Sequence, residues 1–199
     1  MKKLAITLLS VAAATTMYGQ GNFNFNNVSS AALITIASAN AGPAEGLTGQ
    51  FVGTGYSASF FYGAVGSTAY SQLTYFGAGA NTSFFGTGAA DADQTGGAGL
   101  FDGGNVIIPG ATGNEVIGVA VWWSGGGANG VATSYAQAVA DGYNTGLSPL
   151  LTIPLATGTL FPVALDGLGS FQVGVVPEPA TLALCGLGAA SLLLFRRKK

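Results

Sequence analysis

Asp91-Ala92-Asp93-Gln94-Thr95-Gly96, with Asp102 following eleven positions after Asp91, gathers oxygen ligands at a spacing that can hold a metal ion. A twelve-residue calcium loop takes ligands at positions one, three, five and twelve and makes its sharp turn at a glycine in position six. Asp91, Asp93, Thr95 and Asp102 fall on the four ligand positions, and Gly96 falls on the turn. Two departures weaken the match. Thr95 stands where an acid or amide is usual, and Asp102 is shorter than the bidentate glutamate that normally closes the loop. The flanks are glycine-rich and strand-like where helices would be expected. A solvated hairpin loop is the favoured reading, with calcium as the alternative.

Other chemistry is limited by what the chain lacks. It has no histidine, and its cations are Lys2, Lys3, Arg196, Arg197, Lys198 and Lys199, so none lies between residues 4 and 195. The single cysteine, Cys185, sits in a C-terminal apolar run. Ser-His-Asp and Cys-His nucleophile systems therefore cannot be assembled, zinc loses its favoured ligands, and structural disulfides are excluded. No cation is available to neutralise phosphate, which disfavours nucleic-acid binding and phosphoryl transfer. Seven carboxylates remain in the body: Glu45, Asp91, Asp93, Asp102, Glu115, Asp141 and Asp166, for a formal charge of −7. An acid–base pair for glycoside hydrolysis needs two carboxyls across one cleft, about 5–9 Å apart. These seven are scattered over loops, and catalysis is not expected. Trp122, Trp123, Tyr135 and Tyr143 could stack on a saccharide, as in carbohydrate-binding modules, although aromatics at strand spacing more commonly pack in a core.

The elements that must carry these residues read as strands. Asn22-Phe23-Asn24-Phe25-Asn26 alternates polar and apolar, which puts both phenylalanines on one face. Apolar runs follow at 33–36, 56–62, 73–76, 106–108, 116–123, 150–155 and 171–176, separated by Gly, Asn, Asp or Pro clusters. Such runs predict an all-β body, an antiparallel β-sandwich of jelly-roll or immunoglobulin type. The run containing Trp122 and Trp123 reads as a central strand buried on both faces, with the two indoles on opposite sides. Residues 134–140 fit one helical turn or a strand. Pro149 and Pro154 place the segment around Leu151 at a sheet edge. Thirty-three glycines and few charges leave flat strands with little protection against pairing between copies, so self-association is expected.

The two ends read as addresses. Met1-Lys2-Lys3 and the apolar run 4–14 form a secretory signal peptide over residues 1–19, directing Sec-type export of the body, 20–175. Residues 176–199 combine Pro177-Glu178-Pro179, an apolar stretch at 180–195 and the basic tail Arg196, Arg197, Lys198 and Lys199. Two prolines fix an extended segment suited to a protease groove. The stretch that follows is about 24 Å of helix at ~1.5 Å per residue, and four cations hold its far end in the cytosol. This order of motif, helix and basic cluster resembles the PEP-CTERM sorting signal. The resemblance implies recognition of Pro177, Glu178 and Pro179 by an exosortase, a membrane-embedded cysteine peptidase or transpeptidase. It further implies anchoring in the inner membrane by the C-terminal transmembrane helix, then display at the cell surface or release. The expected product is a non-catalytic envelope or extracellular-matrix protein without a cofactor, with calcium the alternative noted above. Its expected partners are the exosortase, the membrane and an extracellular polysaccharide.

Overall fold

The longest strand organises everything else. Residues 20–37, 48–86, 96–125, 132–157 and 160–175 are described by the structure, a computed structural model. In chain order the strands are β1 (Gly21–Asn26), β2 (Ile34–Ile36), β3 (Tyr56–Ala64), β4 (Thr74–Tyr75), β5 (Thr82–Ser83), β6 (Asp102–Ile108), β7 (Asn114–Trp123), β8 (Asn144–Leu147), β9 (Leu151–Pro154) and β10 (Phe171–Val175). The α-helix α1 spans Tyr135–Ala140, so the ambiguous segment is helical. Ser134 caps it by accepting from the Gln137 N–H at 3.2 Å.

Strand β7 pairs antiparallel with β3 along nine residue pairs, from Tyr56↔Trp123 to Ala64↔Glu115. Its other edge is shared. Strand β8 takes Ala120–Trp122, and β9 takes Asn114–Ile117. The main sheet runs β2-β10-β8-β7-β3-β4, with β5 also on β3, while β1 and β6 form a separate two-stranded ribbon. The all-β expectation holds. The antiparallel expectation needs one correction, since β10 pairs β2 in parallel. Parallel strands need a long crossover, and here almost the whole body separates the two.

Alternation along β7 sends its side chains into two different layers. Ile117, Val119 and Val121 join the main core with Phe60 of β3 and with Phe23, Phe25, Val106 and Ile108 of the ribbon. The ring of Phe60 lies 5.1 Å from both Phe23 and Phe25, and 4.7 Å from Phe76 in a stacked contact. Both alternating phenylalanines of β1 are fully buried, as their spacing predicts. The ribbon therefore closes one face of the main sheet. On the opposite face Trp122 packs with Ala132 and Ala138, and Tyr135 and Tyr143 lean on them. The helix α1 covers that side.

A buried asparagine ties the loops beside β1. Asn27 Nδ2 donates to Ala32 O (2.6 Å) and Gly99 O (2.9 Å), and its Oδ1 accepts from the Phe101 N–H (2.7 Å). Three satisfied bonds make a fully buried amide tolerable.

The register also fixes where the described chain enters and leaves. Asn22 bridges Ala156, two residues past the Pro154 that faces Asn114 at the start of β7. Val175 pairs with Asn144, next to the Thr145 that faces Trp122 near the end of β7. Entry and exit lie at opposite ends of a strand about 30 Å long, at roughly 3.3 Å per residue.

Candidate functional site

The strongest functional signal in the chain begins where the body stops. Strand β10 ends at Val175, and only Val176 separates it from Pro177. Pro177, Glu178, Pro179 and the basic residues Arg196, Arg197, Lys198 and Lys199 lie outside the described residues, as do the expected leader (1–19) and anchor (180–195). No helix among the described residues is long and apolar enough to cross a membrane. The described end of the site is the sheet around β10. Gly174 and Val175 pair with Thr145 and Asn144, and Asn144 Nδ2 donates to the Tyr56 hydroxyl at 3.1 Å.

Of the four residues at calcium-ligand spacing, Asp91, Asp93 and Thr95 fall outside the described residues. Asp102 opens β6, is exposed, and accepts from the Gly104 N–H at 2.9 Å through Oδ1. Among the described residues no group of three or more His, Cys, Asp or Glu side chains could hold a metal ion.

The two tryptophans separate as their alternation requires. Trp122 is fully buried, and its indole N–H donates to Ala132 O at 3.1 Å. Stacking of a ligand on Trp122 is thereby corrected, because protein atoms occupy the ring's surroundings. Trp123 is half-buried on the ribbon side, 5.1 Å from the Tyr56 ring in an edge-to-face contact. Gly55 lies directly under it, and a Cβ there would stand 2.2 Å from the indole.

Sequence reasoning overlooked a cluster on the helix side of the sheet. Phe61 of β3 meets Tyr70 (5.3 Å, 89°), Tyr75 (5.0 Å, 51°) and Tyr135 (6.3 Å, 87°). The Tyr70 ring rests on Gly118 of β7, where a Cβ would come within 2.5 Å of it. Its hydroxyl donates to Ser148 O at 2.8 Å. Ser148 Oγ accepts from the Val119 N–H (2.9 Å) and donates to Pro149 O (2.7 Å), filling the break where β7 changes partner from β8 to β9. Burial pushes the Tyr70 phenol up to about 12, and it raises Tyr135 as well. Both phenols therefore stay protonated at neutral pH, where they act as hydrogen-bond donors. Tyr70 and Tyr135 meet the Phe61 ring edge to face and Tyr75 meets it at a tilt, so Phe61 is enclosed by three other rings. Only the glycine inside an apolar run hinted at the cluster, since a gap at Gly118 implies a close neighbour.

Comparison with known families places a match at the chain's end: the model describing the PEP-CTERM protein-sorting motif covers residues 175–198. No curated protein and no solved structure matches the chain. The motif implies an exosortase as processing partner and an exported protein of the cell envelope.

Proposed function

We propose that this chain, which carries a PEP-CTERM protein-sorting motif, is a non-catalytic structural protein of the cell envelope or extracellular matrix, delivered by that motif. The observation that carries the reading is the direct succession of a packed β body and the sorting segment, with Val175 belonging to both. In this reading residues 1–19 direct Sec-type export, residues 180–195 anchor the chain in the inner membrane, and the exosortase then passes the body to the surface or the medium. A body without histidine, lysine, arginine or cysteine from 20 to 175 supports a role in packing and display over one in turnover. The body acts as cargo.

Intact-mass analysis of membrane and medium fractions tests this. The expected result is a released species ending near 176–179 without the basic tail, absent when Pro177, Glu178 and Pro179 are all replaced by alanine. A full-length species kept in the membrane with Arg196–Lys199 attached would sink the processing reading and leave a single-span anchor.

A further inference from the structure

Strand β1 is anchored from its first residue. Gly21 is buried, and its N–H donates to Ala111 O at 2.7 Å. No side chain fits at that position, because a Cβ would stand 2.5 Å from Leu155 Cδ1 and 3.0 Å from Ala111 O. Asn22 is tied at both backbone groups, its N–H donating to Ala156 O and its C=O accepting from the Ala156 N–H, each at 2.9 Å. Phe23 is fully buried in the main core. Gln20, one residue upstream, is exposed and lies outside the ladder. The body is thus held from Gly21 onward, and Gln20 projects from it.

Removal of the leader 1–19 leaves Gln20 as the first residue. A glutamine in that place carries an α-amine and a side-chain amide within reach of each other. We propose that Gln20 is a modification site, cyclised to pyroglutamate once the leader is gone. The neutral α-amine attacks Cδ, so an N–Cδ bond forms and the Cδ–Nε2 bond breaks. Nε2 leaves as ammonia with one proton taken from the amine, and no other reactant is consumed. An α-amine ordinarily titrates at about 8, so its attacking form is present near neutral pH. Every ring atom belongs to Gln20, and the Gly21 N–H keeps its bond to Ala111 O. Closure therefore leaves β1 in register. Residues 20–175 hold seven carboxylates and no Lys, Arg or His, so this amine is the only cation of the mature body and the ring removes it. The ring also closes the exposed end, where trimming by an aminopeptidase would start. The inference rests on the reading that residues 1–19 are a cleaved leader.

The test uses the full-length chain in its producing cells. No lysine or arginine lies between residues 4 and 195, so the protein is cut at glutamate, first met at Glu45, and the N-terminal peptide is weighed. The expected peptide spans 20–45 and is lighter by one ammonia than its sequence. The same peptide at full mass, with an open amine, would overturn the proposal and leave the leader reading standing. A peptide that starts at any other residue overturns the leader boundary, and the proposal falls with it. Gln20→Asn supplies the second measurement, since its shorter side chain cannot close this ring. Under a broad-specificity aminopeptidase the parent is expected to lose nothing. The Gln20→Asn chain is expected to lose its first residue and stop at the anchored Gly21. Equal trimming of the two chains would overturn the cyclisation, and trimming of the variant past Asn22 would overturn the anchoring that singles out Gln20.

Discussion

The two faces of β7 are built from alternate residues of one strand, yet they are held by different physics. On the ribbon side Ile117, Val119 and Val121 meet a layer of phenylalanines, and apolar area does the holding. On the helix side the strand offers Val116, Gly118, Ala120 and Trp122, and among the described residues its cover includes a six-residue helix, Ala132 and the rings of Tyr70 and Tyr143. Individual contacts decide there, such as the Tyr70 hydroxyl on Ser148 O or the Trp122 N–H on Ala132 O. A large buried area tolerates small shifts, whereas a hydroxyl against one carbonyl does not.

The largest effect belongs to the ribbon side. Phe60→Ala removes a ring in contact with Phe23, Phe25 and Phe76, and is expected to cost about 3–5 kcal/mol in urea unfolding. That is a large share of the ~5–15 kcal/mol that holds a domain together. A loss below about 1 kcal/mol would mean that the ribbon does not close the core.

Next comes Gly118→Ala, which drives a Cβ into the Tyr70 ring and is expected to cost about 1–3 kcal/mol. The cost is expected to vanish in a Tyr70→Ala background. Additive costs in the double-mutant cycle would show that the two positions do not touch.

The smallest effect is Tyr70→Phe, about 0.5–1.5 kcal/mol at neutral pH for the lost hydrogen bond. Its signature is in alkali. With the folded phenol raised from 10.0 to about 12, the folded state keeps its proton longer than the unfolded chain does. The burial of this neutral phenol counts in full below pH 10, and stability falls as pH climbs toward 12. Urea midpoints at pH 8 and pH 11 are expected to lie closer together in Tyr70→Phe than in the parent. An unchanged gap would show that Tyr70 is solvated.

Much of the ribbon side was legible because apolar alternation survives in β1 and continuous apolar runs mark β3 and β7, and period two alone puts Trp122 and Trp123 on opposite faces. Which indole would be buried was not legible, since that depends on α1 arriving from a segment whose periodicity fits two structures. Strand β8, Asn-Thr-Gly-Leu, carries no strand signal. Its glycine answers to the nearness of Gln172 and Val173, a fact of tertiary packing. The parallel pairing of β2 and β10 joins positions too distant in sequence for any turn to announce it. At the candidate site, the Pro-Glu-Pro segment and the basic tail could be read directly because a sorting signal is recognised as a linear string. The Tyr70 cluster could not, because it exists only once Gly118 and Ser148 are side by side.

Entry beside Ala156 and exit at Val175 lie at opposite ends of the main sheet, and this has a mechanical meaning. Tension between the two ends runs along the strands, so the β1–β6 and β10–β8 ladders are loaded in shear and their hydrogen bonds share the force. A pull across the sheet at Val175 loads one bond after another. The same strand is therefore stiff as a tether and soft as a zipper, and the direction of the pull selects between the two.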